Sequence, residues 1–472
     1  MRRTKMICTV GPKTEDPSVL RQLLEIGVNG FRLSAVHYGT EKIKELVGTI
    51  KEIKEDMNLP VAIIVDLPGA KLRTGEQKEE FIELSEQEKI TITTEKIPST
   101  KGLISIDYPK LTQEVKVDDP ILIDDGKIRL RVTKIAGKKI ECLVEIPGVI
   151  KENLGVNFPE SDLSIPALTE EDRRIISECG RIGIDFFCLS FVKSSKDVKD
   201  ARKMIESIDP DAGILVKIET KKATQDIDQI CGNSDGVIIA RGDLAVETSL
   251  EELPVIQKKV IQAASKYRVP VIVATQVLGS MVESHLPTRA EVIDVASAVF
   301  DTVDALLFTS ETAVGKYPIQ VVEMASRIVE NAEQHLREFK TIFSERYLEK
   351  TEDPSEAIAK SCYYVAEEIG AKAIITSTAS GSTARRVSHF RPFCPIIATT
   401  PDHDTFNQLS IVWGVIPILV PEVHSTDIMI HVAVEKVKSL GYVESSDVVV
   451  VTSGAPCGVV GTTNMLKVHV VE

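Results

Sequence analysis

Three stretches in the middle of the chain decide the fold: Gly213-Ile-Leu-Val-Lys-Ile-Glu219, Gly236-Val-Ile-Ile-Ala-Arg-Gly-Asp243 and Val269-Pro-Val-Ile-Val-Ala-Thr-Gln276. Each is a short run of aliphatic, largely β-branched residues that breaks off in charged or polar ones. Nearly unbroken Val/Ile/Leu runs suit a strand covered on both faces, as in a parallel sheet layered with helices. Between the second and third lies Leu253–Lys266, whose apolar residues recur at helical spacing. The same unit repeats outward in both directions. Toward the N-terminus the runs are Thr4–Thr9, Gly30–Leu33, Val61–Asp66 and Asp185–Ser190, with the amphipathic stretch Pro17–Ile26 between the first two. Toward the C-terminus comes Asp304–Phe308. With Gly213–Lys217, Gly236–Ala240 and Val269–Ala274 they make eight strands joined by crossovers. The prediction is an α/β fold, a (β/α)8 TIM barrel. An open doubly wound sheet is the alternative, and the count of eight favours the barrel.

One gap is too long for a single crossover helix. Between Asp66 and Asp185 the pattern turns to a β meander: FIELS, KITITT, PILIDDGKIRLRV and KIECLVEI. Asp124-Asp125-Gly126, between two such runs, is a hairpin signal. Residues 70–155 therefore read as a small β-barrel lid domain inserted at the catalytic end of the barrel, which it divides into residues 1–69 and 156–340. Further on, AKAIITS, CPIIATT, VIPILV, DVVVVT and LKVHVV alternate with helical stretches such as Pro354–Glu368, so residues 341–472 read as a C-terminal α/β domain. The charged, helical-looking segment Gln334–Asp353 at that boundary reads as packed helix rather than flexible linker.

With 472 residues, 43% hydrophobic and 27% charged, the chain has the ordinary composition of about three globular domains. No apolar run approaches the ~18 residues of a membrane helix. The opening MRRTKMICTVGP has too few apolar residues for a signal peptide and reads as the first strand. A net charge of −14, from 56 Lys and Arg against 70 Asp and Glu, argues against broad nucleic-acid binding. Small anionic ligands stay open, because they feel local fields. The eight cysteines stand singly with no C-x-x-C pair, so neither a zinc site nor a disulfide framework is indicated. A reducing, cytoplasmic compartment is expected.

In such a barrel the reactive groups gather where strands end. Those ends read Arg32-Leu-Ser, Asp66-Leu-Pro-Gly, Leu189-Ser190-Phe, Lys217-Ile-Glu219, Arg241-Gly-Asp243, Thr275-Gln276 and Thr309-Ser-Glu311-Thr312. Glu219 and Asp243 follow adjacent strands and could share a hard cation at the mouth. Two carboxylates with open water positions suit Mg2+ better than a closed Ca2+ cage. Loop carboxylates simply paired with Lys217 or Arg241 are the other reading. Lys217, Arg32 and Arg73 supply the cations that a transferring phosphoryl group needs, or are ordinary ion pairs. A helix beginning at Ala240-Arg241-Gly242 would offer free backbone N–H groups to a carboxylate or phosphate. No G-x-x-x-x-G-K-[ST] loop, G-x-S-x-G elbow or metal-spaced histidine pair occurs, which leaves hydrolase and zinc chemistry without support.

These motifs, in this order, resemble the pyruvate kinase family along essentially the whole chain. RRTKMICTVGP resembles its opening, and DYPKL and ILIDDG its inserted domain. VKIET, IIARGDLAVE, ATQVLGSM, PTRAE and SETAVGKYP resemble its barrel, and GTTNMLKV its C-terminal end. The resemblance implies a glycolytic phosphotransferase, usually a homotetramer, that moves the phosphoryl group of phosphoenolpyruvate to ADP, giving pyruvate and ATP. By position it assigns Glu219 and Asp243 to Mg2+, with a second Mg2+ arriving on the nucleotide. Lys217 would stabilise charge on the transferring group. Arg32, Arg73 and Ser190 would hold phosphates, Arg73 and His37 on the nucleotide side. Backbone N–H groups of Arg241 and Gly242 would grip the substrate carboxylate. Thr275 would sit beside the enolate carbon, in the relay that protonates it. Closure of the lid would bring Arg73 over the mouth and exclude water.

The departures from the family carry expectations of their own. Ser34-Ala35-Val36-His37 stands where the family reads N-F-S-H, and Asp66-Leu67-Pro68-Gly69-Ala70-Lys71 where it reads D-T-K-G-P-E. The family's K+ ligands are thereby lost at Ser34, Val36 and Leu67, and of that set only Asp66 remains. Lys71 in place of Glu makes the neighbourhood two charge units more positive. Its ammonium is expected to pair with Asp66 and the phosphates and to make K+ unnecessary. Leu154 replaces the Lys of K-G-V-N, removing one nucleotide contact. Thr378-Ala-Ser380-Gly381-Ser382-Thr383 matches the family's effector loop, T-x-S-G-R-[ST], except at Ser382. A phosphorylated effector is expected at Thr378, Ser380 and Thr383, with a plain helix cap as the bland alternative. Two rival readings of the whole chain stand beside these. Another Mg2+-enolate barrel enzyme, such as a pyruvate-dependent aldolase, leaves the lid and C-terminal domain unexplained. An inactive homologue kept as a regulatory or binding protein leaves Glu219, Asp243, Lys217, Arg32, Arg73 and Thr275 unexplained.

Overall fold

The eight apolar runs become eight parallel strands that close on themselves in the computed structural model, which describes residues 2–336, 338, 351–455 and 462–472. Strands β1 (Lys5–Thr9), β2 (Gly30–Ser34) and β3 (Ala62–Asp66) precede the inserted domain. The inserted strands are β4 (Leu72–Arg73), β5 (Ile82–Leu84), β6 (Lys89–Thr93), β7 (Leu103–Ser105), β8 (Pro120–Ile123), β9 (Ile128–Ala136), β10 (Lys139–Ile146), β11 (Gly148–Ile150) and β12 (Gly155–Asn157). The barrel resumes with β13 (Phe186–Leu189), β14 (Gly213–Ile218), β15 (Gly236–Ala240), β16 (Val271–Ala274) and β17 (Ala305–Phe308). The ring runs β1-β17-β16-β15-β14-β13-β3-β2. Ile7, Ile64, Leu215, Ile238, Ile272 and Leu307 fill its interior. The alternate residues of the same strands pack outward on the helices, which is why the runs carry no polar face.

Two runs read as strand from sequence, Asp185–Ser190 and Asp304–Phe308, lose their leading aspartate in the structure, for a reason that two further positions share. Asn29, Asp185, Asp235 and Asp304 stand immediately before β2, β13, β15 and β17, every second strand of the ring. Each places a side-chain oxygen on a backbone N–H of the preceding strand: Met6 at 3.0 Å, Ile63 at 2.7 Å, Ile214 at 2.8 Å and Val271 at 3.0 Å. Four carboxylate or amide oxygens thus stitch the N-terminal floor of the barrel.

The inserted residues form a curled seven-stranded sheet, β4-β12-β8-β9-β10-β6-β7, whose two ends meet at a single bridge between Thr74 and Ile106. A two-stranded ribbon, β5 with β11, completes it. Its core is its own, built on Ile90, Ile92, Leu130, Val132, Ile140 and Val144. The expected hairpin joins β8 to β9, with positive φ at Asp124, Asp125 and Gly126.

The C-terminal sheet is ordered β20-β19-β18-β21-β22, from β18 (Ala373–Ser377), β19 (Ile396–Thr400), β20 (Val415–Leu419), β21 (Val448–Ser453) and antiparallel β22 (Met465–Val470). This domain closes the barrel floor. Its Ile411 joins the barrel's inner core, Ser410 donates to Asn29 O at 2.8 Å, and Arg391 pairs with Asp304 at 3.2 Å while lying over the Trp413 ring. The boundary at residues 340 and 341 and most of Gln334–Asp353 lie outside the described residues. The seven described cysteines are free, and no described helix is long and apolar enough to cross a membrane.

Candidate active site at the open end of the barrel

Parallel strands deliver their C-terminal ends to one rim, so the polar residues that follow them converge. At its centre lies Asp66, almost wholly buried at the end of β3. Arg32 of β2 donates from Nε to Asp66 Oδ2 at 2.9 Å and makes a second contact through Nη2, while its Nη1 donates to Thr9 Oγ1 at 3.0 Å. Lys217 of β14 holds its ammonium 3.2 Å from Asp66 Oδ1 and 3.1 Å from Glu219 Oε1. Two cations and two carboxylates are thus packed together out of water.

Their protonation follows from that packing. Burial alone would lower the Lys217 pKa, but Asp66 and Glu219 more than reverse it and hold the ammonium charged. Burial pushes Asp66 up, and Arg32 and Lys217 outweigh it, keeping the carboxylate ionised below the usual range. Glu219 goes the other way. Its pKa is raised by burial and by Asp243, against the pull of Lys217. Glu219 Oε2 accepts from Phe191 N at 2.9 Å, whereas the buried Oε1 meets the Lys217 ammonium without receiving a hydrogen bond. A buried carboxylate oxygen with spare lone pairs, next to a second carboxylate, is short of positive charge. That fits a hard cation. Among the described residues no group of three or more His, Cys, Asp or Glu could hold a metal, so Glu219 and Asp243 would leave most positions to water or substrate. Mg2+ suits such a site.

The helix expected after β15 begins at Arg241, and Asp243 lies in its first turn. Gly242 N donates to Thr275 Oγ1 at 2.8 Å. Thr275 and Gln276 both adopt positive φ, 65° and 52°. For a β-branched residue this costs roughly 1–3 kcal/mol and persists only when its surroundings enforce it. Three groups do so here. The Thr275 hydroxyl donates to Ala274 O at 2.7 Å, and the Arg241 guanidinium donates to Thr275 O at 3.0 Å. Buried Glu311 accepts from Val277 N at 3.1 Å and Leu278 N at 3.3 Å. The Arg241 side chain, anchored on Asp294 at 2.6 Å, is therefore committed to holding this loop. Glu311 was visible as a strand-end carboxylate, but nothing in Thr275-Gln276 signals a left-handed turn, since neither residue is the usual Gly or Asn.

Ser190 is buried and donates to Leu67 O at 2.6 Å, with Asp66 Oδ1 at 3.5 Å. Gly69, with φ of 65°, passes so close that a Cβ there would lie 2.7 Å from Ser190 Cβ. Arg73 and His37 are not gathered into the cluster. Arg73 donates to Asn153 O at 2.9 Å inside the lid, and His37 is exposed on the loop after β2.

The expected pairing of Lys71 with Asp66 is not what forms. Lys71 donates to Asp243 Oδ1 at 2.7 Å, lies 3.7 Å from Asp125 Oδ1, and sits 5.8 Å from the centre of the Phe191 ring. Asp66 is already satisfied by Arg32 and Lys217. The tight passage at Gly69 carries the chain past Ser190 and Phe191, so Lys71 emerges over Asp243 instead. Asp125, read from sequence only as a turn residue, Phe191, and the contact of Asn157 Nδ2 with Glu247 Oε1 at 2.7 Å were not singled out as parts of the site, because each depends on partners far along the chain. In the C-terminal domain, Thr378, Ser380 and Thr383 line a cavity of about 120 Å3 together with Ser382, Glu422 and His424. The Thr383 hydroxyl shares a hydrogen bond with Thr463 Oγ1 at 2.9 Å. The helix that follows, Ser382–His389, has no side-chain cap.

Comparison with known proteins agrees with this architecture. The family model described as pyruvate kinase, barrel domain, matches residues 1–322, and that described as pyruvate kinase, alpha/beta domain, matches residues 356–469. A pyruvate kinase of Thermotoga maritima is 42% identical over 472 residues, spanning all of both chains. One from Geobacillus stearothermophilus is 39% identical over all of this chain and 81% of its own. The crystal structure of a pyruvate kinase from Cryptosporidium parvum superposes with a TM-score of 0.93 at 32% identity, covering all of this chain and 96% of that one. On the strength of both family models and of full-length relatives, this chain belongs to the pyruvate kinase family.

Proposed function

We infer that the protein is an active pyruvate kinase, transferring the phosphoryl group of phosphoenolpyruvate to ADP, and that the rim of the barrel does this with the residues named above. The observation that carries the reading is the buried Arg32–Asp66–Lys217–Glu219 cluster beside Asp243. Phosphoryl transfer needs positioning and charge neutralisation more than covalent chemistry. Arg32 and Lys217 present fixed positive charge to the phosphoryl group, held in place by Asp66. Glu219 and Asp243 would hold Mg2+, which would supply charge neutralisation to the transferring phosphoryl group. Backbone N–H groups at the start of the Arg241–Glu247 helix orient the substrate carboxylate, and Thr275 stands where the enolate carbon is protonated. Arg73 and His37 face the nucleotide once the lid closes. Ser190 supports the phosphate side through its backbone neighbourhood.

The same reading takes residues 70–155 as the lid and 341–472 as the regulatory domain, flanking barrel parts 1–69 and 156–340. It places the enzyme in the cytoplasm as a homotetramer with a phosphorylated effector at Thr378, Ser380 and Thr383. The uncapped helix start favours an effector, although Glu422 in the same cavity would oppose an anion. K+ independence has a revised basis. Asp66 is already paired with two cations, Arg32 and Lys217, Leu67 is buried, and Lys71 already adds an ammonium beside Asp243. The inactive homologue is not favoured, since Glu219, Asp243, Lys217, Arg32 and Arg73 are all present, although Leu154 stands where the family has a Lys. Pyruvate formation with Mg2+ should run equally fast in tetramethylammonium and in K+ buffer, and Lys71→Glu should slow the K+-free rate sharply. An enzyme silent until K+ is added would refute K+ independence. No pyruvate in either buffer would refute the activity.

A further inference from the structure

Three points of the inserted sheet and its root, counting strand β12, which runs two residues past 155, land on one short helix of the barrel, Arg241–Glu247. Lys71, at the lid's root, reaches Asp243 at 2.7 Å. Asn157 reaches Glu247 at 2.7 Å. The tip of the β8–β9 hairpin sits against Val246, whose Cγ1 would lie 4.0 Å from a Cβ on Gly126. The next residue back on that hairpin, Asp125, faces the same Lys71 ammonium at 3.7 Å. Gly155 leaves Lys71 the room to lie here, since a Cβ at that position would come within 2.5 Å of its Cε. The helix that carries a metal-binding carboxylate is therefore also the landing of the lid, and one lysine touches both.

We propose that Lys71 is a positioning residue that competes with the divalent metal for Asp243, and that Asp125 on the lid hairpin is the acceptor to which its ammonium moves when the metal binds. The inference rests on Glu219 and Asp243 as the metal site and adds the group that sets its affinity. An ammonium hydrogen-bonded to one of only two protein carboxylates lowers their attraction for a cation. A second carboxylate about one ångström beyond bonding distance gives that ammonium somewhere to go, and ties metal loading to the lid. Asp125 also forms the Asp-Gly turn of its hairpin, which fixes its backbone at positive φ and leaves its side chain, 63% exposed, beside the ammonium.

Mn2+ binding to the full-length protein, without substrate or nucleotide, tests this by electron paramagnetic resonance of the free ion. Lys71→Met should bind Mn2+ about tenfold more tightly, since a close charge competitor is gone. Lys71→Arg, which keeps the charge, should not. Asp125→Asn should weaken Mn2+ binding about threefold in the wild-type background and have no effect in Lys71→Met. Unchanged or weaker binding by Lys71→Met would overturn the proposal, as would an Asp125→Asn effect of equal size in both backgrounds. Asp243→Asn separates this from the metal assignment. Loss of Mn2+ binding there with no Lys71 effect defeats only the competition, whereas wild-type binding by Asp243→Asn defeats the metal site and the proposal with it.

Discussion

The two ends of the barrel are both lined with charge, yet they use it in opposite ways. At the floor, Asp185, Asp235 and Asp304 each spend a carboxylate oxygen on a neighbouring strand's N–H, and an apolar residue from another domain, Ile411, packs into the core between them. At the rim, Asp66 and Glu219 are surrounded by Arg32 and Lys217, and Glu219 keeps an oxygen with no hydrogen bond. Floor charges complete the sheet; rim charges are held ready for something absent from the chain itself. Buried carboxylates alone therefore do not identify a site. What distinguishes it is the unfilled valence.

That contrast can be broken most forcefully at the rim. Glu219→Gln removes one metal-binding charge but leaves Lys217 paired with Asp66, so turnover should fall about a thousandfold while unfolding free energy, measured by denaturant titration, stays within about 1 kcal/mol of wild type. The mirror experiment is Asp304→Ala. It strips acceptors from Val271 N and Trp413 N and leaves Arg391 buried without its carboxylate. Stability should drop by about 3–5 kcal/mol, with kcat per folded molecule unchanged. A floor variant that lost turnover without losing stability would erase the distinction.

A finer test uses pH. Burial raises the Asp185 carboxyl to about 7, against the pull of Lys54 at 3.9 Å. Between pH 4 and 7 the native state keeps a proton that the unfolded chain has released, so unfolding free energy should decline as pH rises through that window. The decline should be of order 2–4 kcal/mol, and in Asp185→Asn it should flatten. A variant with the wild-type slope would show that another group carries it.

Much of this was legible in the chain, and the parts that were not share a cause. The barrel strands could be read because a strand buried on both faces needs an unbroken apolar run, and the lid because its period changes to alternation with a hairpin at Asp124-Asp125-Gly126. The rim residues could be read because strand ends converge. Asp185 and Asp304 were absorbed into their strands and Asn29 and Asp235 went unremarked, as the role of all four appears only when the adjacent strand is in place. The partner of Lys71 was misjudged for the same reason: residues 71, 125 and 243 meet only after lid and barrel have folded, and the ion pairs of Asp66 with Arg32 and Lys217 leave no trace in local sequence. The left-handed path at Thr275 is imposed by Arg241 and Glu311, again from elsewhere in the chain.

The central claim is that the rim moves a phosphoryl group between two substrates with Glu219 and Asp243 holding the metal. Rapid quench of the protein mixed with 32P-labelled phosphoenolpyruvate, ADP and Mg2+ tests it directly. Label should appear in ATP, equimolar with pyruvate, in wild type and almost none in Glu219→Gln. Label left in phosphoenolpyruvate, label released as inorganic phosphate, or transfer by Glu219→Gln as fast as by wild type would contradict the account.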